Sequence, residues 1–292
     1  MSRKHTVAAE FENRICVFLD ILGFRDHIDR AVADPAHVKR ISGAFACVGE
    51  HLKTGIDRLA SRRISQYSDC VTVSYKVTES SSAWTLLTDL QYLQIALVER
   101  GFLVRGGVSV GQLVHDESQL FGPAQVKAYE LESKEAIYPR ILVDKSVIKF
   151  GRQNPAPHHD GDDEEGYLRR LVSKDFDGRL YIGYTTWDSI VDVAGADSED
   201  YPDYMRKVLK IVETGLQSKD PCTLAKTLWL YGKFLDARED IKEELRDSHF
   251  PDPLLPSAQS AYQAVVAHMK ATPRDATKCA LPAALIGVLT SN

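Results

Sequence analysis

The first apolar run of the chain, residues 15–21 (ICVFLDI), is short, rich in strand-forming residues and soon followed by a glycine. This composition predicts a buried strand. One carboxylate, Asp20, interrupts the run, and an ionised carboxylate is costly to bury without a partner. Asp20 therefore marks the strand as a place where a compensating charge or ligand is needed.

Two further patterns follow. Apolar residues recur at steps of three and four from Val38 to Leu59, which is the spacing of one helical face. Residues 63–75 alternate on both sides of the polar pair Ser68-Asp69, which predicts two strands joined by a hairpin turn. Asp69 is thus expected at or near a tight turn.

The remaining pattern up to residue 150 predicts helices over residues 84–98 and 124–136. It predicts strands over residues 102–110 and 141–143. With the first strand and the hairpin, this order favours the α+β class. We expect a ferredoxin-like βαββαβ core with an antiparallel sheet and helices on one face.

Residues 154–166 contain two prolines, two glycines and a run of acids without periodicity, which predicts a flexible boundary loop. Beyond it, the sequence predicts a short strand and several helices. The predicted division is a catalytic core over residues 1–150 and a mainly helical extension over residues 151–292, used for packing or dimerisation.

Composition argues against two classes of binding partner, long nucleic acids and membranes. The 292 residues include 36 Lys and Arg against 41 Asp and Glu, a net charge of -5, so no global positive field holds long nucleic acid. Five scattered cysteines without a CxxC pair indicate reduced thiols. No apolar run suits a signal peptide or a membrane span. We expect a cytoplasmic protein with neither nucleic acid nor membrane as partner.

Asp20 and Asp69 are the leading candidates for chemistry. If their strands pair in one sheet, the two carboxylates meet and repel each other. Two Mg²⁺ or Mn²⁺ ions would remove that repulsion because hard cations prefer oxygen ligands. Such a site can activate a hydroxyl and neutralise a triphosphate. On spacing alone, capping or hydrogen-bonded structural roles remain open.

Four motifs favour the metal interpretation through resemblance. Residues 18–24 (FLDILGF) resemble the first metal motif of class III nucleotidyl cyclases, and residues 68–70 (SDC) resemble their second metal-binding hairpin. Residues 105–111 (RGGVSVG) and 121–124 (FGPA) resemble the strand that follows and the start of the catalytic helix. All four occur in the family's order and spacing, which is more specific than any single motif.

This resemblance implies a set of site residues. The implied metal ligands are Asp20, Asp69 and the backbone carbonyl of Ile21. The implied substrate contacts are Phe18 and the backbone amides of Leu22, Gly23 and Phe24, the last three meeting the β- and γ-phosphates.

The sequence departs from the family at four positions. The transition-state asparagine and arginine of the family align with Val126 and Glu130, and its purine-reading residues align with Ser65 and Pro123. Loss of the purine contacts, with Ser65 and Tyr67 in the pocket, favours a pyrimidine base. Loss of the transition-state residues instead favours a catalytically silent nucleotide sensor.

Within the family, the motifs are similar to those of the pyrimidine cyclases of bacterial Pycsar antiphage systems. This resemblance implies conversion of UTP to 3′,5′-cyclic UMP, with CTP to cyclic CMP as the alternative. It also implies a homodimer and a separate effector protein that responds to the cyclic nucleotide. Arg105 and Lys127 are the candidates for charge on the α-phosphate. A structural ion pair for Arg105 and a solvated position for Lys127 remain open.

Overall fold

Strand β1 (Glu12–Ile21) is an inner strand of a mixed sheet in the computed structural model, which describes residues 10–53, 59–197, 200–240, 256–272, 280–281 and 289. It pairs antiparallel with β3 (Cys70–Lys76) on one side and with β4 (Val104–His115) on the other. The predicted hairpin is present, since β2 (Arg63–Tyr67) pairs antiparallel with β3.

The order β2-β3-β1-β4 is that of a ferredoxin-like sheet, which confirms the predicted fold class. The sheet then continues through three short strands, β6 (Ile141–Val143), β8 (Leu180–Ile182) and β7 (Val172–Lys174). Strand β6 runs parallel to β4, and β5 (Leu120–Phe121) pairs with β4 off this path. The sheet therefore extends past residue 150, and the division into two domains stays a prediction.

Five helices bury one face of the sheet, because the alternate residues that point to this face are apolar. Ile15, Val17 and Leu19 of β1 are at most 3% exposed and pack into this helical layer. The helices are α1 (Phe24–Ala33), α2 (Pro35–Lys53), α3 (Ser82–Glu99), α5 (Lys145–Gln153) and α6 (Gly161–Leu171).

Helix α4 (Pro123–Glu130) lies on the opposite face, an addition to the single helical layer expected from the sequence. A π-helical turn (Leu131–Glu135) continues it. Gly107 permits this approach: a Cβ there would lie 2.4 Å from the Leu131 Cβ and 2.5 Å from the Ala128 carbonyl oxygen. Gly107 thus allows a helix to pack closely on the sheet.

The prediction of a flexible loop over residues 154–166 is wrong for its second half, because α6 begins at Gly161. Asp160 caps this helix by accepting hydrogen bonds from the amides of Asp162 and Asp163 at 2.8 and 2.9 Å. Carboxylates in the first turn also interact favourably with the helix dipole. The acidic run is therefore a helix start.

The C-terminal part is mainly helical, as predicted, with α7 (Asp200–Gly215), α8 (Pro221–Asp240) and α9 (Pro256–Ala271). The sequence predicts that the helix beginning at Leu224 continues to Leu245, and residues 241–245 lie outside the described residues. None of the helices in the described ranges is long and apolar enough to cross a bilayer.

A buried polar network joins this part to the sheet. Arg140, just before β6, is fully buried and forms ion pairs with Asp175 and Asp177. From α8, the Trp229 indole N–H donates to Asp175 Oδ2 at 2.9 Å, and Lys233 Nζ lies 3.0 Å from Asp175 Oδ1. Separating α8 from the strands would leave buried charges of this network without partners, which is costly. We therefore expect α8 and the strands to unfold together.

We predict that Gly107→Ala lowers the free energy of unfolding by about 3 kcal/mol, because the new methyl group meets the backbone of α4. Gly111→Ala on the same strand is the matched control, since its Cβ would lie 3.6 Å or more from Ala124. Urea denaturation measures both. Equal stabilities of the two variants would contradict the close packing of α4.

Candidate active site

The candidate chemistry lies on the face of β1 opposite the helical layer. This face is here called the open face, and α4 covers part of it. Because successive side chains of a strand alternate, Cys16, Phe18 and Asp20 share this face. Across the sheet, Asp20 is opposite Cys70 of β3 and Arg105 of β4. The strand pairing therefore brings three separate motifs of the sequence together.

Asp20, Asp69 and Cys70 form one cluster. Asp69 belongs to the two-residue turn between β2 and β3, and Ser68 before it adopts a left-handed conformation with φ 53°. One ligand atom from each of the three residues lies within 4.8 Å of the others. The predicted meeting of the two carboxylates is thus present in the structure.

Arg105 neutralises part of this negative charge. Its Nε lies 3.1 Å from Asp20 Oδ2 and 2.6 Å from Glu132 Oε1. Glu132, in the π-helical turn after α4, is only 3% exposed. Sequence analysis missed Glu132, although it is the final residue of the motif G-P-A-x-x-x-A-Y-x-L-E that begins at Gly122.

The pKa values reflect the crowding of like charges. Burial raises the pKa of Asp20, and the Asp69 side chain raises it further, while Arg105 acts in the opposite direction. Burial likewise raises the pKa of Glu132, against the effect of Arg105. Three carboxylates face one guanidinium, which leaves an excess of two negative charges when all three are ionised. A divalent cation would balance that excess.

The donor set fits Mg²⁺ or Mn²⁺. Asp20 and Asp69 offer hard carboxylate oxygens, which these cations prefer. Burial and the neighbouring carboxylates raise the pKa of the Cys70 thiol to about 11, and a thiol is a soft ligand that these hard cations do not prefer. Asp20 and Asp69 therefore stay the predicted metal ligands, together with the Ile21 carbonyl.

The β1–α1 loop follows the cluster directly. Gly23 has φ 71°, which favours glycine, and Phe24 begins α1. The Leu22 amide donates to the Leu103 carbonyl at 2.8 Å, so it is already engaged and is a weaker candidate for a phosphate contact than predicted. The amides of Gly23 and Phe24, at the start of the helix, remain the predicted phosphate contacts.

Ser65, a predicted contact of the base, is the outer end of a hydrogen-bonded chain that sequence analysis did not find. Its Oγ lies 3.0 Å from His115 Nε2, and His115 Nδ1 lies 2.8 Å from Ser74 Oγ. Arg14 Nε donates to the same Ser74 oxygen at 2.8 Å. Arg14, Ser74 and His115 are all buried.

The direction of each hydrogen bond in this chain can be assigned. Arg14 only donates, so the buried Ser74 hydroxyl accepts from it and directs its own hydrogen to His115 Nδ1. Burial, together with the cations Arg14 and Arg63, lowers the pKa of His115 to about 4, so its ring is neutral. Its one hydrogen is therefore on Nε2 and is donated to Ser65. Ser65 is left with a free hydroxyl hydrogen, a donor, at the open face.

The aromatic candidates lie on the same face. Phe18 is opposite Gly107 on the neighbouring strand and meets the ring of Tyr129 edge to face, with centroids 5.5 Å apart. Tyr67, at the end of β2, is 85% exposed. Both positions can border a flat ligand, and their predicted roles in substrate binding stay predictions.

Lys127 contacts a different part of the fold. Its Nζ lies 2.5 Å from Asp144 Oδ2, and Asp144 caps the start of α5. In the described ranges no ion pair links Lys127 to Asp20 or Asp69. Arg105 is therefore joined to the carboxylate cluster, whereas Lys127 is not.

No family model and no curated protein matches the sequence. Similar solved structures include two of a bacterial light-regulated adenylyl cyclase. One is 16% identical with a TM-score of 0.38 over 48% of this chain and 79% of that chain. The other is 14% identical with a TM-score of 0.40 over 56% of this chain and 58% of that chain.

A third structure, an adenylate/guanylate cyclase/hydrolase from Silicibacter pomeroyi, is 16% identical with a TM-score of 0.36 over 60% of this chain and 96% of that chain. Similarities this low decide no activity.

We predict that Asp20→Asn and Asp69→Asn each weaken Mn²⁺ binding at least about 10-fold, because each removes an ionised ligand. Cys70→Ala is the matched control within the cluster and should bind Mn²⁺ as the unaltered protein does. Isothermal titration calorimetry measures the three dissociation constants. Unchanged affinity in both aspartate variants would contradict the metal assignment.

Proposed function

We propose that this protein is a nucleotide cyclase that converts UTP to 3′,5′-cyclic UMP and pyrophosphate. The observation that carries the proposal is the meeting of Asp20 and Asp69 beside Arg105 on the open face. These residues belong to the motifs that resemble class III cyclases, and the adjoining loop leads into a helix start suited to phosphate.

In the proposed reaction, the 3′-hydroxyl oxygen of UTP bonds to the α-phosphorus while the bond from that phosphorus to the pyrophosphate oxygen breaks. The hydroxyl proton passes to solvent and pyrophosphate leaves. Asp20 and Asp69 would hold two Mn²⁺ or Mg²⁺ ions. Bound there, these ions supply Lewis-acid stabilisation of the phosphates and a lower pKa for the attacking hydroxyl.

Arg105 is our preferred source of positive charge for the α-phosphate. It touches Asp20 and is oriented by the buried Glu132, so little side-chain freedom is lost when substrate binds. Lys127 is the weaker candidate because its ion pair is with Asp144 and not with the carboxylate cluster.

The choice of UTP over CTP rests on the hydrogen-bonded chain behind Ser65. A fixed hydroxyl donor pairs with an acceptor, and uracil has a carbonyl oxygen at the position where cytosine has an amino group. With CTP this hydrogen finds no acceptor at that position, while the hydroxyl oxygen can still accept from the amino group, so the expected preference for UTP is of the size of one hydrogen bond. Cyclic CMP is therefore the alternative product.

The proposed homodimer would form across the open face. Around α4 this face has large exposed side chains: Phe121 at 46%, Val126 at 57% and Tyr129 at 50%. Exposed apolar groups gathered in one region are typical of an interface. Resemblance to the pyrimidine cyclases further supports a cytoplasmic second messenger, acting on a separate effector protein in antiviral defence.

A catalytically silent nucleotide sensor is the second candidate, favoured by two positions on α4. Val126 and Glu130 replace the asparagine and arginine that the family uses in the transition state. Val126 is exposed and apolar, and Glu130 pairs with Lys134 at 2.7 Å. Neither side chain adds positive charge to the site.

Incubation with each of the four ribonucleoside triphosphates and Mn²⁺, followed by mass identification of products, tests the proposal. We expect cyclic UMP as the main product. Asp20→Asn should lower turnover at least about 100-fold, whereas Cys70→Ala should retain it. Failure to form a cyclic product from any of the four would reject the cyclase and leave the sensor.

We predict that Ser65→Ala lowers the ratio of kcat/KM for UTP to that for CTP about 5- to 10-fold, since one neutral hydrogen bond contributes about 1 kcal/mol. His115→Phe should also lower this ratio, because the Ser65 hydroxyl then loses its fixed direction.

The exposed Ser80→Ala is the matched control for the loss of a hydroxyl. If the ratio in Ser65→Ala equals that of Ser80→Ala, Ser65 does not read the base.

A further inference from the structure

A second feature lies on the other side of the β1–α1 loop, where α1 and the end of α3 face α7 and α8. They enclose a cleft of about 590 Å³, here called the basic cleft. Leu22 and Gly23 form part of its wall, next to the carboxylate cluster in sequence. The basic cleft therefore lies between the helices on the sheet and the C-terminal helices.

The cleft concentrates positive charge in a chain whose net charge is -5. Its walls include two carboxylates, Asp26 and Glu99. They also include six cationic side chains from five helices or helix ends: Arg30, Arg40, Arg100, Lys207, Lys210 and Lys226. Clefts lined by one sign of charge raise the local concentration of ligands of the opposite sign.

These six cations differ in their partners. Lys207 pairs with Glu99 at 2.8 Å. Arg40 and Arg100 donate to backbone carbonyls, at 3.3 and 2.7 Å. Arg30 of α1 and Lys210 of α7 form no ion pair in the part of the chain that the structure describes. Both are exposed, so each can reach a bound anion.

We propose that the basic cleft is a binding site for an oligophosphate group, with Arg30 and Lys210 as its principal contacts. Several cations that line one cleft suit a ligand with several negative charges better than they suit a ligand with a single carboxylate. The oligophosphate belongs either to the nucleotide bound at the carboxylate cluster or to a separate phosphorylated small molecule. In both cases the C-terminal helices contribute directly to ligand binding through α7.

Tripolyphosphate titrated into the protein in EDTA at low salt, followed by calorimetry, tests the site. We expect one bound tripolyphosphate per chain and an affinity that falls as salt is added. The double variant Arg30→Gln, Lys210→Gln should bind at least 10-fold more weakly. Lys149→Gln, an exposed lysine on α5, is the control and should bind normally.

Absence of binding to the unaltered protein would overturn the proposal, as would equal affinity in the double variant. Thermal unfolding of the double variant verifies its fold, which should persist because both side chains are exposed. The assay contains neither nucleotide nor metal, so its result does not depend on whether the protein cyclises UTP.

A second titration, with UTP and Ca²⁺ present, separates the two sources of oligophosphate. Competition, together with weaker UTP binding in the double variant, assigns the cleft to the nucleotide's own phosphates. Simultaneous binding of UTP and tripolyphosphate assigns it to a separate ligand. Either result supports the oligophosphate site.

Discussion

The pleat of strand β1, paired on both sides, is the constraint on which the rest of the structure depends. Its odd-numbered positions build the helical core, so its even-numbered positions must share the open face. A slip of one residue would expose Leu19 and bury Asp20 among apolar side chains, at a cost no other contact offsets. The hydrophobic effect that folds the sheet therefore also sets the position of Asp20 opposite Cys70 and Arg105.

Close packing at Gly107 extends this constraint to the second layer. Because no side chain intervenes, α4 and the turn after it lie directly on the sheet, and Glu132 reaches Arg105. Gln125 on α4 likewise donates to Thr72 of β3 at 3.2 Å. The arginine is thus held between a strand carboxylate and a helix carboxylate, which orients it before any ligand binds.

Local periodicity was sufficient to predict β1, the hairpin and the helix over residues 84–98, and the two aspartates followed from them. Periodicity depends only on residues that are close in sequence, so it does not predict contacts between distant segments. His115 meets Ser65 across 50 positions, and Glu132 meets Arg105 through a helix whose face could not be assigned. Charge content alone predicts a loop over the acidic run, whereas Asp160 in the capping position begins a helix there.

The most direct test is a crystal structure with Mn²⁺ and a UTP analogue whose α–β phosphate bridge cannot be cleaved. Anomalous scattering would locate the manganese. We predict manganese coordinated by the carboxylates of Asp20 and Asp69, with the uracil carbonyl accepting the hydrogen bond of Ser65. Manganese bound away from these carboxylates, or a nucleotide bound away from the open face, would contradict the central claim.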